Sequence, residues 1–454
     1  MRKTIILVLV SLFIQAKSQN KDSIALRKIY DYYLTQGKCY KNLEVLCTTI
    51  GGRLSGSPQA EKAVEWAKQA MYDAGADTVY LQPCMVTHWE RGGKELCVAT
   101  YPGKRLDLSV CALGGSTCTP VSGINAAVVE VKSFDELKTL GEKNLLKGKV
   151  VFYNVAFNPK NIHPGQSYGE TVKYRYYGAS KASKYGAVAT LVRSMSSLNN
   201  DSPHTGAMTY DSAEIKIPAF ALSYKAADDL AAALKADPKT LVSLKSFCKI
   251  FPDAPSFNVI GEIRGTEKPN EYIITGGHLD SWDNGQGAHD DGAGVVQSID
   301  VLGMYKKTGM KPKHSIRAIA FMNEENGLGG GKAYGKETEK KGWKHIAAIE
   351  TDAGGFSPRG FGVDTVGGMY KLASSWMPLF DPYYINRIHP GGGGADISPL
   401  EKFGVPCIGF EPDGQRYFDI HHTADDTFDK VHKRELEMGA AAIGSLVYLI
   451  DKYK

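Results

Sequence analysis

Four apolar runs in the second half of the chain do most to restrict its fold: EYIITGG (271–277), SIRAIAFM (315–322), HIAAIET (345–351) and VPCIGF (405–410). Each is continuous rather than alternating, and stretches of helical spacing separate them, the first predicted over 292–307. A sheet with one wet face shows a polar residue at every second position. Runs that are apolar throughout belong to strands buried on both faces and joined by helical crossovers. The chain is therefore expected to be α/β, with a mixed, largely parallel sheet carrying helices on both faces. In such sheets ligands gather beyond the carboxyl ends of the strands, so the residues just past each run carry the functional information.

After the first run come His278, Asp280 and Asp290, after the second Glu324 and Glu325, after the third Asp352, and beyond the fourth His421 and His422. Any one of these alone reads as a solvated turn. Four strand ends delivering the same residue types to one sheet edge read as a metal site. Two imidazoles among carboxylates favour zinc, cobalt or manganese over calcium, which takes oxygen ligands. The count fits two ions: one held by His278 and Asp352, the other by Glu325 and His422, with Asp290 bridging them. Each ion then keeps an open position for water, as catalytic zinc sites do. Asp280, two residues from His278 in an extended segment, is expected to lie on the same side and steer the imidazole. Glu324 is left to face the water, take its proton and pass it to a leaving amine. Water shared by two metals is acidified towards neutrality, about pKa 7 in the mononuclear case, so hydrolysis of a peptide or amide is the chemistry this set serves.

The remaining sequence frames that site. In LSGSPQAEKAVEWAKQAMYDAGA, Ser57 caps a helix, Pro58 opens it and Gly75 stops it. From about 120 to 248 short strand-like runs such as KVVFYNV (149–155) and AVATLVRS (187–194) flank a helix-like stretch at 172–185, the texture of a separate inserted domain. The first 18 residues, with Arg2 and Lys3 ahead of the apolar stretch Ile5–Ile14 and small residues Ala16 and Ser18, read as a cleaved secretory signal. That stretch is too short for the roughly 20 residues that span a bilayer, so a secreted or periplasmic protein without a membrane anchor is expected. The net charge of +5 falls to about +2 once Arg2, Lys3 and Lys17 are set aside, which argues against a nucleic-acid partner. Six of the eight cysteines fall between Cys39 and Cys118 without zinc-finger spacing, and no pairing follows from them. The segment SPHTG (202–206), with His204, reads as a surface turn, the alternative being a cap over the cleft of the site.

HLDSWDNGQGAHDDGAG, NEENG, ETDAGG, GGGGADISPLEKFGVP and FDIHHTADDT together resemble the co-catalytic zinc aminopeptidase and glutamate carboxypeptidase superfamily. GGRLSGS (51–57), HWERG (88–92), SFDEL (133–137) and SPHTG narrow the likeness to one branch of it, over nearly all of the chain beyond the signal. The resemblance implies a phosphorylase/hydrolase-like catalytic domain in two parts, 19–117 and 251–454, around a protease-associated insert at 118–250. It implies two zinc ions per chain on His278, Asp290, Glu325, Asp352 and His422, Glu324 as the base, a peptide substrate and a homodimer. Asn323 stands where many relatives have alanine, and His289 where small or apolar residues are commoner; His289 is expected to face solvent, the alternative being that it perturbs the charge of the site. His421, where some relatives carry tyrosine, serves either as an oxyanion donor or as packing. The expected activity is exopeptidase cleavage of dipeptides or short peptides, with aminopeptidase, carboxypeptidase and dipeptidase left open. A single-zinc glutaminyl cyclase and a non-enzymatic receptor are the alternatives on the same fold.

Overall fold

The computed structural model describes residues 21–454 apart from residue 213, so the expected secretory segment lies outside the described residues. The four apolar runs stand side by side as the parallel centre of an eight-stranded sheet, in the order His314–Phe321, Lys268–His278, Lys344–Glu350, Cys407–Pro412. Ala254–Ile263 and then Thr78–Val86 extend one side in antiparallel pairing, while Pro358–Val363, antiparallel to Cys407–Pro412, and then Arg387–Pro390 extend the other.

Period-2 geometry sends successive residues of these strands into two different cores. Ile273, Ala318, Ala320, Ala347 and Ile349 face a cluster built with the helices Pro58–Ala74, Ala293–Thr308 and Lys433–Tyr453. Their neighbours Ile274, Ile319, Phe321 and Ala348 face the opposite cluster, closed by Tyr334 of the helix Gly329–Lys341 and by Leu400. Both faces are covered, which is why the runs are largely apolar, with Arg317 admitted because Glu262 and the Tyr334 hydroxyl accept from its guanidinium; truncating a fully buried Ile319 or Ile349 to alanine costs about 2–5 kcal/mol. Pro58–Ala74 begins and ends as the sequence predicts: Ser57 Oγ accepts the Ala60 N–H at 3.2 Å, and Gly75 turns the chain at φ 93°.

The middle of the chain builds a second eight-stranded sheet, in which Ile124–Val131, Val150–Tyr153, Ala189–Arg193 and Ala219–Leu222 run parallel. The expected insert at 118–250 supplies only part of it. Leu96–Tyr101 pairs with Leu241–Lys245, Lys104–Asp107 extends that edge, and Val110–Ala112 pairs with Ala219–Leu222. Where the chain enters and leaves this sheet, Trp89–Glu90 and Lys249–Ile250 form a two-stranded ribbon. All eight cysteines are free thiols, Cys118 alone being exposed. Among the described residues no helix is long and apolar enough to cross a membrane.

Candidate metal centre

The parallel strands deliver their carboxyl ends to one edge, and the predicted ligands meet there. His278 is the last residue of its strand, Asp352 lies two residues past Lys344–Glu350, and Glu324 and Glu325 follow the strand ending at Phe321. Asp290 comes from the loop that enters helix Ala293–Thr308, at the cis Asp290–Asp291 peptide. His278 Nε2 is 3.2 Å from Asp290 Oδ1 and 3.5 Å from Asp352 Oδ1. His422 Nε2 is 3.2 Å from Asp290 Oδ2 and 3.1 Å from Glu325 Oε2. The two oxygens of one carboxylate thus face two separate imidazole–carboxylate pairs. Ligands held about 2.0–2.1 Å from a tetrahedral ion lie about 3.3 Å apart, so each set has the spacing of a metal's donors.

The charge balance asks for cations as well. Burial pushes Glu325 up to about 7, with the Asp290 charge adding to the effect, and burial raises Asp352 and Glu324 too. Burial works the same way on Asp290, but hydrogen bonds from His278 and His422 outweigh it and hold that carboxyl well below its ordinary range. Burial opposes charge on the two imidazoles, yet Asp352 and Glu325 respectively carry them well above the usual histidine value. Carboxylates outnumber imidazoles in a water-poor edge, and bound divalent cations reverse this suppression of ionisation. Donor types, spacing and charge all fit zinc.

Each imidazole is oriented from behind. His278 Nδ1 donates to the backbone carbonyl of Asp280 at 2.9 Å, which directs Nε2 towards Asp290. The carboxylate of Asp280 does not steer the ring, contrary to the sequence expectation. The strand ends at His278, alternation stops with it, and Asp280 Oδ1 instead accepts the N–H groups of Asn323 (2.6 Å) and Glu324 (3.1 Å). Asp280 therefore positions the Glu324–Glu325 turn. His422 Nδ1 lies 3.2 Å from the Thr205 carbonyl, and the Thr205 N–H donates back to the His422 carbonyl at 2.9 Å. His422 sits at φ 62° and Asn323 at φ 72°, left-handed conformations that cost an L-residue about 1–2 kcal/mol. Asparagine tolerates this better than alanine.

Several side chains that the motifs do not single out hold the loops. Asp291 accepts the His278 and Gly294 N–H groups, each at 3.0 Å, and Asp426 accepts those of His289 (2.8 Å) and Asp290 (3.1 Å). Arg53, fully buried, donates to the carbonyls of Leu279 (2.6 Å), Gln286 (2.7 Å) and Gly287 (3.0 Å). Only the duplicated acids of HDDG and ADDT hinted at any of these. His289 does not face solvent: it is buried, stacks on Phe356 at 4.2 Å, accepts the Gly355 N–H at 3.0 Å, and burial lowers it to about 4. SPHTG is no surface turn either, since His204 is 1% exposed and the segment braces His422. Trp282 is packed against Trp89 and edge-on to His422 at 5.7 Å, and Asp283 pairs with Arg91 at 2.7 Å, so both stiffen the loop. His421 stacks on His422 at 3.6 Å with its Nε2 3.7 Å from Asp290 Oδ2.

In front of the centre lies a cleft of about 560 Å³. Half-buried Glu324 opens into it beside Asp290, Glu325, Asp352 and His422, and Arg175 and Tyr168 from the second sheet's helix Pro164–Ser183 form the opposite wall. The Arg175 guanidinium is held by the Ala207 carbonyl at 3.3 Å and the Tyr168 hydroxyl at 2.9 Å rather than by a carboxylate. A second cleft, of about 730 Å³, shares Asp352, Tyr417 and Phe418 with the first.

Known proteins carry the same plan. Residues 258–447 match Peptidase family M28. Carboxypeptidase Q of Bos taurus is 34% identical over 92% of this chain and 86% of its own length. The crystal structure of a peptidase M28 precursor from Shewanella amazonensis superimposes with a TM-score of 0.91 at 32% identity, covering 95% of this chain and 97% of that one. A zinc aminopeptidase from Bacillus subtilis shares the fold at 21% identity, with a TM-score of 0.64 over 90% of this chain and 94% of its own. With the strand-end site in place and likeness along the whole length of these relatives, the chain belongs to peptidase family M28 and is a metallopeptidase related to carboxypeptidase Q.

Proposed function

We propose that the protein is an exported, two-zinc exopeptidase that cleaves dipeptides or short peptides at the carboxyl end. The observation that carries this reading is the Asp290 carboxylate, whose two oxygens each lie 3.2 Å from a different imidazole, His278, itself 3.5 Å from Asp352, and His422, itself 3.1 Å from Glu325. His278, Asp290 and Asp352 would hold one zinc, and Asp290, Glu325 and His422 the other. When bound, the ions supply Lewis-acid activation of water and positive charge against the developing oxyanion. Glu324 takes the proton of the attacking water and returns it to the leaving amine nitrogen, its carboxyl already biased by burial towards holding a proton. Asp280 fixes the backbone of Glu324 and so the direction of that transfer.

Carboxyl-end recognition is supported by the relatives' name and by Arg175, a guanidinium in the cleft wall whose charge no carboxylate neutralises through a hydrogen bond. A fork of N–H donors matches a terminal carboxylate. The second sheet, most of it from 118–250, serves as a protease-associated insert that supplies this wall. Metal analysis together with peptide hydrolysis tests the reading. About two zincs per chain at the catalytic edge, counted as the zinc lost in Asp290→Ala, cleavage of an N-acetylated dipeptide and refusal of its C-terminal amide are expected. One zinc at that edge would point to the cyclase, none to a receptor, and loss of cleavage only on N-acetylation to an aminopeptidase.

A further inference from the structure

Away from the catalytic edge, three helices bring a thiol and two carboxylates together in the protein interior. Cys39 opens the helix Cys39–Val45, Asp300 lies midway along Ala293–Thr308, and Glu437 is in the first turns of Lys433–Tyr453. None is more than 2% exposed. Cys39 Sγ is 3.6 Å from Asp300 Oδ2, and one ligand atom from each of the three lies within 4.8 Å of the others. Asp300 accepts the Tyr32 hydroxyl at 2.8 Å and the Lys38 N–H at 3.0 Å, and Glu437 Oε1 accepts the Tyr40 N–H at 3.1 Å. Glu437 Oε2 is buried with no hydrogen-bond partner outside the cluster, where only the Cys39 thiol approaches that carboxylate, and the hydroxyl of neighbouring Tyr33, itself 1% exposed, has none.

From this cluster we infer that Cys39, Asp300 and Glu437 form a second metal site, structural in role, for a divalent cation of the zinc or cobalt type. Zinc bonds of about 2.3 Å to sulfur and about 2.0–2.2 Å to oxygen place tetrahedral S and O donors about 3.5 Å apart, close to the Cys39–Asp300 separation. A thiolate with two carboxylates suits a borderline-soft ion rather than calcium or magnesium. Without a cation, burial holds all three acids towards their protonated forms, and the Asp300 charge adds to the effect on Glu437. Burial raises Asp300 to about 6 and Glu437 to about 7, and burial with the Glu437 charge lifts the Cys39 thiol well above its ordinary value. A metal ion displaces those protons and takes up the charge. A cavity of about 560 Å³, lined by Tyr32, Asp73, Asp300, Lys38, Lys41 and Lys307, reaches the cluster at Asp300. The bound ion ties the amino-terminal helices to two of the helices that cover the catalytic sheet.

Cobalt(II) distinguishes this site from the catalytic pair, whose proposed ligands include no sulfur. Titration of the metal-depleted full chain is expected to give a near-ultraviolet thiolate-to-cobalt absorption band, with metal content one ion per chain above the catalytic complement. The band should survive in Cys118→Ser, which removes the one exposed thiol, and in Asp290→Ala, which empties the catalytic site. It should vanish in Cys39→Ser, and cobalt affinity at this site should fall by at least about tenfold in the near-isosteric Glu437→Gln, with the far-ultraviolet circular dichroism of both variants native. Failure of the two-zinc reading would show as a cobalt content of only about one ion per chain, with this signal intact. Saturated visible bands without a thiolate band in the wild type, or a band that Cys118→Ser removes, would overturn the site and leave the cluster neutralised by protons alone.

Discussion

Replacing Arg53 with methionine tests how the loop that carries Asp290 is held. The guanidinium is fully buried and bonds three carbonyls of the 279–287 segment, Leu279 at 2.6 Å, Gln286 at 2.7 Å and Gly287 at 3.0 Å. Charge-assisted bonds of this kind contribute about 1.5–3 kcal/mol each, or about 4.5–9 kcal/mol for three. Methionine keeps most of the stem's packing and removes the cost of burying a cation, which returns several kcal/mol. Gln286 is half-buried, so its carbonyl recovers a water partner, while those of Leu279 and Gly287 stay dry. The net loss is expected at about 3–5 kcal/mol, read as a lower urea midpoint in chelator-treated protein. Because the segment leads directly into Asp290, metal affinity should fall about tenfold or more. Arg53→Lys keeps the charge but lacks the planar fork, and should recover no more than about half of the loss. A penalty below about 1 kcal/mol with unchanged metal affinity would refute this account and leave Asp291 and Asp426 as sufficient to hold the loop.

Glu324→Gln should keep both zincs by elemental analysis while kcat/KM falls about 10²–10⁴-fold; near-normal turnover would remove Glu324 as the base. Asp290→Ala takes a ligand from both ions at once and should emerge from dialysis with well under one zinc at the catalytic edge, whereas chelation of the wild type should abolish hydrolysis reversibly on zinc return. His345 is buried, accepts the Tyr334 hydroxyl at 2.9 Å, and is lowered to about 3 by burial and then by the Arg317 charge. The unfolded chain protonates it near 6.5, so its effect on stability is constant above that pH and turns unfavourable as pH falls towards 3, by up to about 5 kcal/mol. Urea midpoints of His345→Gln should therefore decline less than those of the wild type between pH 6.5 and 3, and parallel curves would refute the assignment.

The sheet centre was legible because each of its strands announces itself locally: a run buried on both faces is apolar on both, as at Ile273 beside Ile274 and Ala318 beside Ile319. His278, Glu325 and Asp352 were legible for the same reason, since parallel strands send the residues past each run to one edge. What failed was decided by contacts distant in sequence. Leu96–Tyr101 joins the second sheet through Leu241–Lys245, a pairing no local pattern records, so the inserted texture looked as if it started only at about residue 120. Asp280 has the spacing of a partner for the His278 ring only if the strand runs on past His278, and it stops there. The consequence reaches the chemistry. One imidazole is oriented by a carbonyl two residues away, Asp280, and the other by the carbonyl of Thr205, which lies 217 residues distant between strands of the second sheet. Arg175, on the cleft wall, comes from the same layer. If Nδ1 of His422 loses the Thr205 carbonyl, nothing else among its described contacts accepts that proton, because the neighbouring Arg175 nitrogen at 3.4 Å can only donate. On the proposed two-zinc reading the second sheet thus supports the His422 ligand, and a variant that loosens its seat on the catalytic layer should lower affinity for an ion at Glu325 and His422 before one at His278 and Asp352.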